Sequence, residues 1–149
     1  MKMEPCMKRL VVDASIAIKW SFHEPLSEKA GELLVLHRRQ KVQIVVPEFF
    51  YCEFASVCWK KVKMKLSTVK EAIQALEDTD HLSFRRYSDH ELSDVALDNA
   101  LLYNISIYDA LYLSLAEIYV APLITADETL VKACRGRFDF IESLRDVRL

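Results

Sequence analysis

Glycine is nearly absent: Gly31 and Gly136 are the only two in 149 residues. Loops that cradle phosphates, whether G-x-x-x-x-G-K-[ST] or G-x-G-x-x-G, need several close backbone approaches, so both are excluded, and a nucleotide cofactor with them. The four cysteines, at positions 6, 52, 58 and 134, form no C-x-x-C pair, and none stands at zinc spacing from a histidine at 23, 37, 81 or 90. They read as free thiols in a reducing compartment. Neither G-x-S-x-G nor H-E-x-x-H occurs, which removes the usual serine-hydrolase and zinc-protease motifs. No apolar run approaches the ~18 to 20 residues of a membrane span, and the first apolar stretch is broken by Asp13 and Lys19. A soluble, cytoplasmic protein is expected. Charge of neither sign dominates: the formal net charge is −2, so any surface for a polyanion has to be local.

What the chain has in quantity is core-forming residues, 52% hydrophobic against 28% charged, the mix of one globular domain spanning 1–149. No repeat, low-complexity tract or Pro/Gly/Ser-rich linker divides it. The first six residues, MKMEPC, are expected to be a frayed tail, and Met7 offers an alternative start from which the chain should keep its activity. The run R-L-V-V-D, Arg9 to Asp13, does not alternate, as a strand buried on both faces requires. A short helix through Ala17 to Trp20 follows. Pro25 is expected to open the next helix, which carries Leu26, Ala30, Leu33, Leu34 and Leu36 and ends in HRRQK. QIVVP predicts a second strand, with Pro47 opening the helix PEFFYCEFASVCWKKVKMK. LSTVKEAIQALED is an amphipathic helix capped by Ser67 or Thr68, with Glu71 placed to complete a capping box.

LSFRRYS reads as a weak strand. SDHELSDVALDNALLYN and SIYDALYLSLAEIYV read as helices parted by a left-handed turn near Asn104. PLIT predicts a strand, ADETLVKAC a helix and FDFI a last edge strand. Strands regularly followed by helices predict an α/β fold: a three-layer α/β/α sandwich with a central, mostly parallel sheet. In such folds functional groups collect beyond the carboxyl ends of the strands.

Four acids stand in apolar surroundings. Glu53, in FFYCEFASVC, has Phe49, Phe50, Ser56 and Val57 as its helical neighbours, although Lys60 projects the same way and an edge position reaching water would also satisfy it. Asp109 shares its helix face with Tyr112, Leu113 and Ala116, but an acid in a first turn also complements the helix dipole. Asp13 ends the first strand and Asp127 lies just beyond PLIT; each also suits a helix cap, as does Ser15. Taken singly, capping is the simpler account of Asp13 and Asp127. Taken together, four carboxylates converging on one sheet edge repel each other and call for protons or a cation, and oxygen-only ligands suit hard Mg²⁺ or Mn²⁺.

VVDASIAIKW with SEKAGELL after it, VPEFFYCEFASVCWK, ISIYDALYLSLAE and PLITADETL, in this order, resemble the PIN-domain ribonucleases, and within them the VapC-like toxins of type II toxin–antitoxin pairs. The resemblance runs from Lys8 to the last strand. It implies that Asp13, Glu53, Asp109 and Asp127 form a catalytic and metal-binding quartet, with Ser15 and Thr125 as hydroxyl residues that orient carboxylates or a metal-bound water. It further implies metal-dependent endonucleolytic cleavage of RNA, a homodimer, and a cognate antitoxin that covers the acidic groove.

Phosphate contacts need local positive charge. HRRQK at 37–41, WKKVKMK at 59–65, FRR at 84–86, and Arg135 with Arg137 are the candidates, and the last two come first because they follow the helix begun by Asp127. Tyr103, Tyr108, Tyr112 and Tyr119 could stack bases, although core or dimer packing explains them as well. A haloacid-dehalogenase-type phosphatase would need an acid where Ser15 stands. A receiver domain lacks an acid such as Glu53. A non-catalytic RNA- or protein-binding module is the alternative from a different class, and the intact quartet argues against it.

Overall fold

The computed structural model describes residues 7–149, so the expected N-terminal tail lies outside the described residues. Among the described residues five strands form one sheet, every pairing parallel: β1 (Lys8–Val12), β2 (Val42–Pro47), β3 (Arg85–Tyr87), β4 (Leu123–Thr125) and β5 (Ile141–Ser143), in the order β3-β2-β1-β4-β5. Among the same residues seven helices connect and cover it: α1 (Ala14–Ser21), α2 (Ser27–Arg38), α3 (Phe49–Lys63), α4 (Val69–Asp80), α5 (Asp89–Tyr103), α6 (Ile107–Tyr119) and α7 (Glu128–Cys134). From β1 the chain moves to β2 and β3 on one side, then crosses back to β4 and β5 on the other. Crossovers of a single hand therefore place helices on both faces, giving the expected three-layer α/β/α sandwich.

β1 is central, and its non-alternating sequence has the expected consequence: Leu10, Val11 and Val12 are buried. Val11 pairs with Val45 on one side and Leu123 on the other. α6 is buried through seven successive residues, Ala110 to Ala116, and packs against α5, β1 and β2. A helix apolar all round belongs inside, and this one carries Asp109 in its first turn.

Several boundaries move from their expected places, each for a local reason. α1 starts at Ala14, directly after β1, because Asp13 caps it. Pro25 does not open a helix: it lies in a turn where Leu26 takes a left-handed φ of 68° and Ser27 begins α2. The Ser27 hydroxyl accepts from the Glu24 amide at 2.9 Å and fixes that turn. Pro47 closes β2, opposite Tyr87, and α3 begins at Phe49. Thr68 is the cap of α4, forming a capping box with Glu71. Asn104 has the expected left-handed backbone (φ 51°, ψ 51°) between α5 and α6. In FDFI only Ile141 is in the last strand, which runs on to Ser143.

Candidate active site

The direction of strand order reverses between β1 and β4, and the crevice beyond their carboxyl ends is where such sheets bind ligands. Asp13 follows β1 there and is only 5% exposed. Its carboxylate caps α1 by accepting from the Ser15 amide at 3.0 Å. It also accepts the Ser15 hydroxyl on Oδ1 and the Thr125 hydroxyl on Oδ2. The same two hydroxyls accept backbone amides from the segment after β4: Ala126 N–H to Ser15 Oγ at 2.8 Å and Asp127 N–H to Thr125 Oγ1 at 3.0 Å. Both hydroxyl protons point at Asp13, so the 3.3 Å contact between Ser15 Oγ and Thr125 Oγ1 has no proton to share.

Asp127, exposed, caps α7 through Oδ1, which accepts from the Thr129 and Leu130 amides at 2.9 and 3.2 Å. Glu53 is half-buried on α3 between Phe50 and Phe54, and its Oε1 accepts from the Ala14 amide at 3.1 Å. That bond ties α3 to the residue after Asp13. Asp109 is half-buried; Ser106 caps α6 by accepting its amide at 3.0 Å and donates its hydroxyl back to Oδ2 at 2.9 Å. Capping and convergence therefore coexist at Asp13 and Asp127, because a cap at the first residue past a strand already faces the sheet's carboxyl edge.

The charges of these acids reach one another. Burial is the main force raising Asp13 from 3.8 to about 6, against the bonds from Ser15 and Thr125, with Asp127 adding repulsion. Burial again leads at Glu53, raised from 4.5 to about 7, with repulsion from Asp13 and Asp109 added. Asp109 is raised by burial and by Asp127. Among the described residues no group of three or more His, Cys, Asp or Glu side chains is spaced to hold a metal ion. The hydrogen bonds above leave Glu53 Oε2, Asp109 Oδ1 and Asp127 Oδ2 without a hydrogen bond from any described residue. All three are hard oxygen donors.

The family model for the PIN domain matches residues 10–136, from β1 to the turn after α7. The chain belongs to the PIN-domain family. The PIN fold is similar to that of PAE2754 from Pyrobaculum aerophilum, at 22% identity and a TM-score of 0.69 over 93% of this chain and 85% of that one. It is also similar to a toxin–antitoxin complex from Klebsiella pneumoniae (16%, TM-score 0.63, 93% and 99% of the two chains). VapBC2 from Rickettsia felis, bound to a DNA fragment from its promoter, has the same fold (16%, TM-score 0.60, 91% and 98%). No curated protein matches by sequence.

Around these acids two further residues stand out: Asp89, which sequence reasoning did not assign, and Tyr112, for which it left base stacking and core or dimer packing open. Asp89, the first residue of α5, accepts from the Phe49 amide at 3.1 Å and so anchors the start of α3. Its only sequence signal was its place in a first turn. Tyr112 is fully buried on α6, and its hydroxyl has no partner of good hydrogen-bond geometry, although it lies near enough to Glu53 to ease that group's ionisation. Burial and the charges of Glu53, Asp13 and Asp109 push its phenol well above the ordinary value. A tyrosine on an apolar helix face is indistinguishable in sequence from plain core.

The arginines fare differently from each other. Arg137 donates to the Leu102 carbonyl and lies over the Tyr103 ring, 5.1 Å from its centroid, so its guanidinium joins the end of α5 to the turn after α7. Arg135 is exposed at the C-cap of α7. Of the tyrosines, Tyr103 and Tyr112 are buried, Tyr119 packs edge-on to Tyr87, and Tyr108 is 54% exposed.

Proposed function

We propose that this PIN-domain chain is a divalent-metal-dependent endoribonuclease and the toxin of a toxin–antitoxin pair, a single domain over 1–149 that works in the cytoplasm as a homodimer. The observation that carries the catalytic reading is the placement of Asp13 and Asp127 just beyond β1 and β4 with Glu53 and Asp109 near enough to repel them, burial first and this repulsion second raising Asp13 to about 6 and Glu53 to about 7. Groups held in that state gain most from a cation. Similarity in fold to the Klebsiella pneumoniae toxin–antitoxin complex and to VapBC2 supports the antitoxin as partner.

The donor chemistry fits Mg²⁺ or Mn²⁺, which Asp13, Glu53, Asp109 and Asp127 would hold. Bound there, the ion supplies Lewis acidity toward water and toward the phosphoryl oxygens. The protein's own work is positional. Ser15 and Thr125 hold Asp13 in one rotamer, the Ala14 amide fixes Glu53, Ser106 fixes Asp109, and the first turn of α7 fixes Asp127. In-line attack of water on a backbone phosphorus, with the 3′-oxygen leaving, yields a 5′-phosphate and a 3′-hydroxyl.

A second reading, a non-catalytic PIN-like module that binds RNA or protein, is favoured by one observation: no three acids among the described residues stand at ligand spacing. One experiment separates the two. Purified protein is incubated with total cellular RNA and either ion, with EDTA and Asp109→Asn as controls, and new 5′ ends are sequenced. Cuts that need the ion and Asp109 support the nuclease; intact RNA under all conditions leaves the binding module. A neighbouring short reading frame whose product copurifies with the chain and silences cleavage would establish the antitoxin.

A further inference from the structure

Phe49 and Tyr108 stack face to face, ring centroids 4.7 Å apart and planes 18° from parallel. Phe49 is the first residue of α3 and Tyr108 the second of α6, so the pair bridges the two helices that carry Glu53 and Asp109. Glu53 is one turn beyond Phe49, and Asp109 is the next residue after Tyr108. Phe49 is half-buried and pinned at its amide by Asp89, whereas Tyr108 is 54% exposed. No other ring in an aromatic pair among the described residues is exposed to that degree. Tyr108, supported by Phe49, 54% exposed and next to Asp109, is placed to take a third flat layer.

We propose that the Phe49–Tyr108 stack is a platform for a nucleobase of single-stranded RNA adjoining the bond to be cut, an inference that rests on the endoribonuclease reading above. The charge around the pocket singles out this occupant. With no cation bound, Asp13, Glu53, Asp89, Asp109 and Asp127 make this edge of the sheet acidic, and the guanidinium of Arg137 already donates to Leu102 and lies over Tyr103. In that state the RNA backbone gains little from electrostatic attraction beside these acids. Stacking is neutral and sequence-tolerant, and unstacked bases of loops offer the flat face it needs.

The test uses a single-stranded RNA dodecamer carrying 2-aminopurine at successive positions, first in EDTA so that binding is read without cleavage. One position should be quenched by the wild-type chain. Tyr108→Ala should abolish that quenching and raise Kd about 5- to 100-fold, the range of base–aromatic stacking, while Tyr108→Phe stays near wild type. An abasic nucleotide at the same position should weaken the wild type by the same factor and leave Tyr108→Ala unaffected, as a double-mutant cycle between ring and base requires. Phe49→Leu, which keeps the site packed but removes the supporting ring, should show an intermediate loss. Additive effects of Tyr108→Ala and the abasic site, or an unchanged Kd, overturn the platform. If RNA is bound and cut normally by Tyr108→Ala while light scattering shows a changed association state, the pair is an interface between copies and only the platform falls. If the wild type neither binds nor cuts RNA, the nuclease reading falls and takes the platform with it.

Discussion

The Thr125 hydroxyl, at the end of β4, donates to Oδ2 of Asp13, at the end of β1, and accepts the Asp127 amide at 3.0 Å. One side chain thus fixes the position of two acids that lie just beyond neighbouring strands. Thr125→Val keeps the shape but leaves a buried carboxylate oxygen and a backbone amide unpaired, so unfolding free energy should drop by about 1–3 kcal/mol. Cleavage should fall with it, and Thr125→Ser should restore both. Urea titration followed alongside the cleavage rate checks this; a valine variant of unchanged stability and rate would remove the role assigned to the hydroxyl.

Asp109→Asn should abolish cleavage without harming the fold, because the Ser106 bonds can be kept by an amide oxygen while repulsion with Glu53 and Asp127 is relieved. In metal-free buffer its melting temperature should match or exceed that of the wild type. Asp13→Asn should also abolish cleavage but melt lower. Both Asp13 oxygens accept hydroxyl protons, and an asparagine offers only one acceptor oxygen. Calorimetry of the two variants side by side distinguishes them.

Stability without metal should rise as pH falls from 7.5 to 5. Folding raises Asp13 from 3.8 to about 6 and Glu53 from 4.5 to about 7, so the folded chain binds these protons more tightly than the unfolded chain. The stability this contributes is fully present below the unfolded values near 4 and is lost as pH rises through 6 to 7. Glu24, lowered by Lys61 and Lys19, runs the other way but loses its contribution only near and below its ordinary 4.5, outside this window. Thermal melts in EDTA should therefore gain at least about 3 °C between pH 7.5 and 5. Added Mg²⁺ should raise the melting temperature at pH 7.5 and do little at pH 5, where protons compete for the same oxygens. A flat metal-free profile would contradict the burial of these acids.

Arg135 and Arg137 should separate in two measurements. Arg137→Gln loses the bond to Leu102 and the contact with Tyr103, so it should destabilise by about 1 kcal/mol. Arg135→Gln, altering an exposed residue, should leave stability unchanged. If Arg135 contacts a phosphate, its loss should reduce the slope of log affinity for RNA against log salt by about 1. An unaltered slope would strike Arg135 from the RNA surface.

Much of this was legible in local sequence, and for a physical reason. Leu10 to Val12 do not alternate, so β1 had to be buried on both faces; Thr68 with Glu71, and Asn104, carry backbone requirements that few other residues meet. The positions of Asp13 and Asp127 followed as well, since the end of a parallel strand is fixed by where the apolar run stops. What sequence alone misjudged were boundaries at Pro25 and Pro47, where a fixed φ suits a turn or a strand end as well as a first helical turn.

Only the folded chain decided the rest, because it depends on distances between residues remote in sequence. Thr125 meets Asp13 across 112 positions, and Glu53 meets the Ala14 amide across 39. Tertiary packing brought the exposed Arg137 to the Leu102 carbonyl, and buried Tyr112 while leaving Tyr108 open on Phe49. Composition and periodicity set what each segment can be; which oxygens share a pocket is set by the order in which parallel strands lie side by side.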